Sequence, residues 1–325
     1  MFGIEELKHT IEVTSTTVEC PVKGCNEFVE RQRGSFKTEN RFRCPKHRIV
    51  ISPSTFEYPN ELDNLLWKDT EDLELLHRIM KKKRESRMAR DNSEDALSWN
   101  VFRFLEKNSL VEGFLDSITR TSPKSSDVIY WSYNQGEGSD WSLLNRARRE
   151  FGERISRGSE PDIIITTDNA LFIIEAKLTA GNTTVPSNPS YSKKYETGGN
   201  NWFSRVFESE YRTVAIAEKK YELMRFWLLG TWMAEQMDVD FYLINLVLTE
   251  RELDIESIFK KHIKDNQQRH LLRITWENVY EYILKSGRYR NREEMARYFK
   301  NKTPGYSANG RLLKAFSIHY GKSFH

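Results

Sequence analysis

The chain has 325 residues, a hydrophobic fraction of 38%, a charged fraction of 30% and a formal net charge of +3. This length suits one large domain with a small accessory one, or two medium domains. The most apolar stretches, 226–232 and 241–248, are too short to cross a membrane, and the near-neutral charge permits a nucleic-acid partner without demanding one.

Residues 1–60 are predicted to form short strands and turns around a cluster of cysteine and histidine. The pairs Cys20/Cys25 and Cys44/His47 supply four ligands, with eighteen residues between the pairs. Zn²⁺ prefers a tetrahedron of thiolates and imidazoles, and four protein ligands leave no open position. The pattern therefore predicts a structural zinc site in a zinc-finger-like module.

Two features of this module leave alternatives open. The first pair is wider than the common C-x-x-C spacing, and the alternative is three unrelated thiols with a surface histidine. The segment between the pairs is polar, so we expect little core and a need for metal in folding. Its basic residues fit nucleic-acid contact and protein docking equally well: Arg31, Arg33, Lys37, Arg41 and Arg43.

The cysteines and the first residues indicate the compartment. All three cysteines lie in one short segment, which argues against a disulfide framework and for a reducing interior. The opening MFGIEELKHT carries acidic residues where a signal peptide would carry an apolar core. The expected location is the cytoplasm.

Residues 61–91 are predicted to be a basic helical linker. Leu62, Leu65 and Leu66 begin a series of apolar residues at helical spacing. A basic run closes the segment: Lys81, Lys82, Lys83, Arg84, Arg87 and Arg90. Such a run can neutralise phosphates, although a solvated helix face is the more common explanation.

Residues 92–290 are predicted to form a mixed α/β domain, and 291–325 a basic helical extension. A helix capped by Asn92 or Ser93 opens the domain. It is followed by a strand at 126–133, a helix from Trp141 to about Ile155, and the two strands PDIIITT and ALFIIEAK. A long polar loop at 179–204, an apolar helix at 215–237 and strands at 241–249 and near 271–276 complete the order.

The most informative segment is PDIIITTDNALFIIEAK, residues 161–177. Two apolar, β-branched runs flank an Asp-Asn pair, which suits a two-residue hairpin turn. If Thr167 pairs with Ala170, Asp162 lies opposite Glu175. Lys177 then shares their face, because side chains alternate along a strand.

Two carboxylates opposite each other in a sheet repel unless positive charge lies between them. Oxygen ligands with open positions for water and phosphate suit Mg²⁺. A lysine ammonium beside them could polarise the attacking water and stabilise charge on a phosphate. The hairpin therefore predicts magnesium-dependent phosphodiester hydrolysis, and the alternative is a solvated edge hairpin with a Glu–Lys pair.

The PD and EAK motifs resemble those of the PD-(D/E)XK nuclease superfamily, over roughly residues 92–285. The resemblance implies a restriction-endonuclease-like αβββαβ core sheet flanked by helices. It implies that Asp162 and Glu175 hold catalytic Mg²⁺ and that Lys177 serves catalysis. Many members carry a further acidic residue on the opening helix, and Glu94 fits that position.

Two further sets of residues are candidates. Asp95 and Glu150 compete with Glu94 for the extra acidic position. The loop at 179–204 follows Lys177, so it is expected to overhang the site, with simple mobility as the alternative. Its side chains that could meet phosphates or a base are Asn182, Lys193, Lys194, Asn201 and Trp202.

The first hypothesis is a restriction-like or defence-type endonuclease acting on DNA. The rival is a zinc-finger module that binds nucleic acid or protein and carries an inactive nuclease-like domain. A third is a nuclease acting on RNA or branched DNA, because phosphodiester chemistry alone does not distinguish these substrates. The expected partner is nucleic acid, with DNA favoured and no membrane, and a homodimer is compatible with the sequence.

Overall fold

The computed structural model describes residues 6–83, 86–287 and 289–318. Within these residues the strands are β1 (Thr17–Glu19), β2 (Phe28–Glu30), β3 (Val50–Ile51), β4 (Phe56–Glu57), β5 (Ser126–Tyr130), β6 (Tyr133–Asn134), β7 (Ser139–Asp140), β8 (Ile163–Thr167), β9 (Ala170–Ala176), β10 (Asp240–Val247) and β11 (Arg269–Thr275). The α-helices are α1 (Thr70–Met80), α2 (Glu94–Lys107), α3 (Val111–Thr119), α4 (Ser142–Glu150), α5 (Ser192–Val206), α6 (Tyr221–Met237), α7 (Ile255–Lys260), α8 (Trp276–Lys285) and α9 (Arg292–Asn301). None of the helices in these ranges has the length and apolar surface that a membrane crossing requires.

The chain divides into two compact units. The first unit contains Met1–Leu73, Glu85–Phe104 and Trp276–His325, and the second contains Glu74–Arg84 and Leu105–Thr275. The chain thus passes between the two units more than once. The predicted borders after residues 60, 91 and 290 instead divide the chain into four consecutive segments. Arg84 of the predicted basic run, and the last seven residues of the predicted C-terminal extension, lie outside the described residues.

The second unit is built on a seven-stranded sheet in the order β11-β10-β9-β8-β5-β6-β7. The pairs β9–β10 and β10–β11 are parallel, and the remaining pairs are antiparallel. Every residue of β9 is buried, which fits the apolar run 170–174 that precedes Glu175. The mixed α/β class that the sequence predicts is confirmed.

The β8–β9 hairpin has the register that its turn predicts. Ile163 pairs with Ile174 in antiparallel orientation, and the pairing continues regularly to the turn. There the Thr167 hydroxyl accepts the Ala170 N–H at 2.9 Å, which closes the hairpin around the Asp-Asn pair. The same register places position 162 opposite position 175, as predicted.

Helix α6 covers the face of the sheet toward which Glu175 projects. It packs on β9 and β10, and Gly230 allows close approach, because a Cβ there would lie 2.2 Å from the Phe241 ring. Leu171 and Ile173 share its apolar cluster. Since side chains alternate along a strand, Glu175 projects on the side of α6.

The predicted loop at 179–204 is wrong in its second half, where α5 begins at Ser192. The helix is interrupted at Gly198, Gly199, Asn200 and Asn201, whose backbone angles are not helical. A Cβ at Gly199 would lie 2.8 Å from the Phe151 ring, so the break brings the backbone against the core. The polar composition of the segment gave no indication that four of its side chains are buried: Tyr195, Trp202, Phe203 and Val206.

The N-terminal module has a core, contrary to the expectation from its polar sequence. Its three cysteines belong to an apolar cluster with residues such as Ile51 and Phe56. Tyr306 joins that cluster from the C-terminal segment and stacks on Phe56 with ring centroids 5.4 Å apart. The Gly310 carbonyl accepts the Ile11 N–H at 2.9 Å. Of the predicted C-terminal helical extension, only α9 is helical in the described residues, because Pro304 and Gly305 disfavour a continuing helix.

Candidate functional site

The first candidate site is the cysteine and histidine group of the first unit. The ligand atoms of Cys20, Cys25, Cys44 and His47 all lie within 4.8 Å of one another. The distances are 3.7 Å from Cys20 Sγ to His47 Nδ1, 3.9 Å from Cys25 Sγ to Cys44 Sγ, and 3.8 Å from Cys44 Sγ to His47 Nδ1. The four residues that the sequence predicts as ligands are thus together in the structure.

These distances fit a tetrahedral metal ion. Bonds of about 2.3 Å to such an ion separate the ligand atoms by about 3.8 Å. The three cysteines are free and buried, and burial raises the pKa of the Cys20 thiol, with Cys44 and Cys25 adding to that rise. Packing three sulfurs and an imidazole this closely is favourable when a cation binds the sulfurs as thiolates and the imidazole in its neutral form. The group could hold a metal such as zinc.

The second candidate site lies at the end of the β8–β9 hairpin in the second unit. Asp162 immediately precedes β8, and its Oδ2 accepts the Ala176 N–H at 2.9 Å. Its Oδ1 accepts the indole N–H of Trp131 at 3.3 Å. One donor from β9 and one from the turn that follows β5 therefore fix the direction of this carboxylate.

Glu175, Lys177 and Glu222 complete this group, which we call the carboxylate–lysine cluster. The Lys177 ammonium donates to Glu175 Oε1 and, at 3.2 Å, to Glu222 Oε2. Glu175 is 3% exposed, and the Lys177 side chain is 14% exposed. A single, mostly buried lysine side chain thus bridges a glutamate of β9 and a glutamate of α6.

The charges of the cluster shift its ionisation strongly. Burial raises the pKa of Glu175 well above its ordinary range, and Asp162 and Glu222 add to the rise while Lys177 opposes it. Burial alone would lower the pKa of Lys177, but Glu175, Glu222 and Asp162 outweigh burial and raise it. Three carboxylates around one ammonium leave an excess of negative charge, which a divalent cation would relieve.

Glu222 is a member of this cluster that sequence reasoning missed. It lies in the first turn of α6, and the Thr184 hydroxyl accepts its backbone N–H at 2.9 Å. It is 45 residues from Lys177 in the chain. The sequence predicts an apolar helix at 215–237, but a contact at such separation leaves no pattern in one sequence.

Two of the predicted substrate contacts are buried, which corrects that expectation. Trp202 is 4% exposed, and its indole N–H donates to the Thr231 hydroxyl at 2.9 Å. Asn182 has no exposed surface, and its amide donates to Asn245 at 2.6 Å and to Glu252 at 2.7 Å. Both side chains are held in structural hydrogen bonds within the second unit.

The other predicted contacts remain at the surface. Lys193 and Asn201 are exposed, and Lys194 is half-buried with its ammonium 4.7 Å from the centroid of the Tyr195 ring. Glu94 is the first residue of α2, and the Ser93 hydroxyl caps this helix by accepting the Ala96 N–H at 3.1 Å. Glu94 lies in the first unit, and its assignment to the catalytic group stays a prediction.

The fold and these sites define a mixed α/β protein with a cysteine–histidine group suited to a metal and a separate carboxylate–lysine cluster. Neither a family model nor a solved structure matches the chain. Arsenate reductases of two Bacillus cereus strains, one of them AH187, are each 27% identical to it over 70 residues, covering 22% of this chain and 52% of theirs. Arsenate reductase 2 of Bacillus cereus strain ATCC 10987 / NRS 248 shows the same coverage and identity. The chain thus spans about half the length of the curated relatives it matches.

Proposed function

We propose that this protein is a metal-dependent nuclease that hydrolyses phosphodiester bonds of DNA at the carboxylate–lysine cluster. The observation that carries the proposal is the register of the β8–β9 hairpin, which sets Asp162 against Glu175 with the Lys177 ammonium beside them. A buried cluster with excess negative charge is costly unless it binds a cation. The motifs that form it are those that resemble the PD-(D/E)XK nucleases.

The oxygen-rich ligand set suits Mg²⁺, with Asp162 and Glu175 as its protein ligands. When bound there, Mg²⁺ polarises a phosphodiester and activates water. The Trp131 indole and the Ala176 N–H fix the orientation of the Asp162 carboxylate. Lys177 donates hydrogen bonds and stabilises negative charge on the phosphate, and Glu222 positions Lys177.

The cysteine–histidine group complements this assignment with a structural zinc ion. All four positions around the ion are filled by protein, which leaves no site for substrate. Zinc in the first unit and magnesium in the second therefore have separate roles. We assign the protein to the cytoplasm, where thiolate ligands stay reduced.

Activity on nucleic acid tests the proposal. The full chain is incubated with supercoiled plasmid, linear duplex, single-stranded DNA and RNA, in Mg²⁺, Mn²⁺ or EDTA. We expect DNA cleavage with either metal and none in EDTA. Cleavage of RNA alone would show that the substrate is RNA and not DNA. Intact polymers in every condition would refute the nuclease assignment.

A parallel preparation of the Lys177→Met variant excludes a contaminating nuclease. Methionine keeps the apolar stem of the side chain and removes the ammonium that contacts Glu175 and Glu222. Cleavage by this variant at the rate of the unmodified protein would show that the cutting occurs elsewhere.

A further inference from the structure

Arg225 lies beside the carboxylate–lysine cluster on the same helix as Glu222. The two residues are three positions apart in α6, and residues at that spacing share one face of a helix. Both side chains are partly exposed, at 17% for Arg225 and 32% for Glu222. The guanidinium is therefore a near neighbour of the glutamate that contacts Lys177.

A buried carboxylate holds one edge of this guanidinium. Arg225 Nε donates to Glu153 Oε1 at 2.9 Å, and the Glu153 side chain is only 1% exposed. The same carboxylate accepts the Ser159 N–H at 2.6 Å, the Ser159 hydroxyl at 2.8 Å and the Tyr195 hydroxyl at 3.0 Å. Burial alone would raise the pKa of Glu153, but Arg225 and Ser159 outweigh it and lower that pKa. Glu153 is thus an ionised, fully bonded anchor.

The remaining edge of Arg225 is presented with a fixed orientation. Its guanidinium carbon lies 5.1 Å from the centroid of the Tyr221 ring, which supports the plane of the group. Neither Nη group donates a hydrogen bond to a residue in the described ranges. Two parallel N–H donors on a rigid fork match two oxygens of a phosphate.

A second cation, Lys194, lies near Glu153 and Arg225. The Lys194 ammonium packs over the ring of Tyr195, whose hydroxyl bonds Glu153. Burial lowers the pKa of Lys194, with Glu153 opposing that shift and Arg225 adding to it, so these charges interact. The two cations thus flank Glu153, next to a cluster with an excess of negative charge. A substrate with a metal-bound phosphate and a neighbouring phosphate complements this pair of charges.

We propose that Arg225, together with Lys194, binds a backbone phosphate next to the phosphodiester that is cut. Arg225 acts as a substrate-binding residue: its Nη groups bind two phosphate oxygens, and Glu153 holds the guanidinium in that orientation. This inference rests on the proposed nuclease function and adds a substrate contact outside the carboxylate–lysine cluster.

The first test is the variant Arg225→Lys, which keeps a positive charge against Glu153 but loses the fork. We expect KM for a labelled duplex to rise about tenfold with kcat nearly unchanged, because a binding contact with the substrate is lost while the group that cuts is intact. The matched control is Arg146→Lys, another arginine over an aromatic ring, 5.2 Å from the centroid of Trp232. Trp232 is ten residues beyond Glu222 in α6, about 15 Å along the helix.

The second test needs no cleavage. The double variant Glu153→Gln/Arg225→Gln removes the ion pair as a unit, so no buried charge is left unpaired. Fluorescence anisotropy in EDTA then measures affinity for a labelled oligonucleotide against salt concentration. We expect the slope of log affinity against log salt to fall by about one, the effect of one lost phosphate contact.

The outcomes separate the two proposals. An unchanged KM in Arg225→Lys or an unchanged salt slope in the double variant overturns the phosphate contact, whatever the cleavage assay shows. An altered slope in a protein that cuts no nucleic acid supports the contact and overturns only the nuclease assignment.

Discussion

Replacing Glu175 by glutamine is expected to lower metal-dependent cleavage about a thousandfold or more, because a neutral amide is a poor ligand for Mg²⁺. The fold should tolerate the change. Glutamine is isosteric, still accepts a hydrogen bond from Lys177, and removes one of three like charges around that ammonium. In EDTA we therefore expect an unfolding temperature at or above that of the unmodified protein, measured by circular dichroism.

The matched control for this variant is Glu281→Gln. Glu281 also forms a glutamate–lysine pair, with Lys285 at 3.1 Å, but both side chains are more than half exposed. Surface pairs of this kind contribute little, so activity and stability should stay unchanged. Normal cleavage by Glu175→Gln in Mg²⁺ would contradict the role given to Glu175.

Loss of zinc should destabilise the first unit. The Cys44→Ser variant is expected to lose about one zinc per chain. We expect its unfolding temperature to fall by roughly 10 °C, equivalent to about 4 kcal/mol in a unit of this size. The apolar cluster that includes Phe56 and Tyr306 limits the loss, so the module should loosen without unfolding completely.

Two histidines of the same module provide the control for the zinc site. His47 contributes Nδ1 to the group, whereas His9 is exposed and outside it. His47→Ala should lose the metal and His9→Ala should keep it, as measured by atomic emission on dialysed protein. Equal zinc content in the two variants, or none in the unmodified chain, would remove the zinc assignment. Acidification should also release the ion, because its ligands bind it only when deprotonated.

The parts of the fold that could be predicted are those encoded by local sequence patterns. The β8–β9 register followed from a two-residue turn and the alternation of side chains. The placement of position 162 opposite position 175 could therefore be predicted. The cysteine–histidine group, which could hold a metal, followed from the spacing of Cys20, Cys25, Cys44 and His47. In both cases a short segment carries most of the information.

The parts that could not be predicted depend on contacts between distant segments. Glu222 and the Glu153–Arg225 pair meet their partners only after α6 packs on the sheet, and an ion pair 72 residues apart has no sequence signature. The packing of Tyr306 in the N-terminal core could not be predicted either, because a lone aromatic residue in a polar tail indicates no partner. Helix α5 was missed because its Gly-Gly-Asn-Asn break reads as loop.

The proposed nuclease activity requires that Asp162 and Glu175 share one divalent cation. The most direct measurement is a Mn²⁺ titration followed by electron paramagnetic resonance, on zinc-loaded protein and on its Asp162→Asn variant. We expect a shared ion, with about one Mn²⁺ bound per chain in the unmodified protein and at least a tenfold weaker affinity in the variant. Equal Mn²⁺ affinity in the two proteins would contradict it.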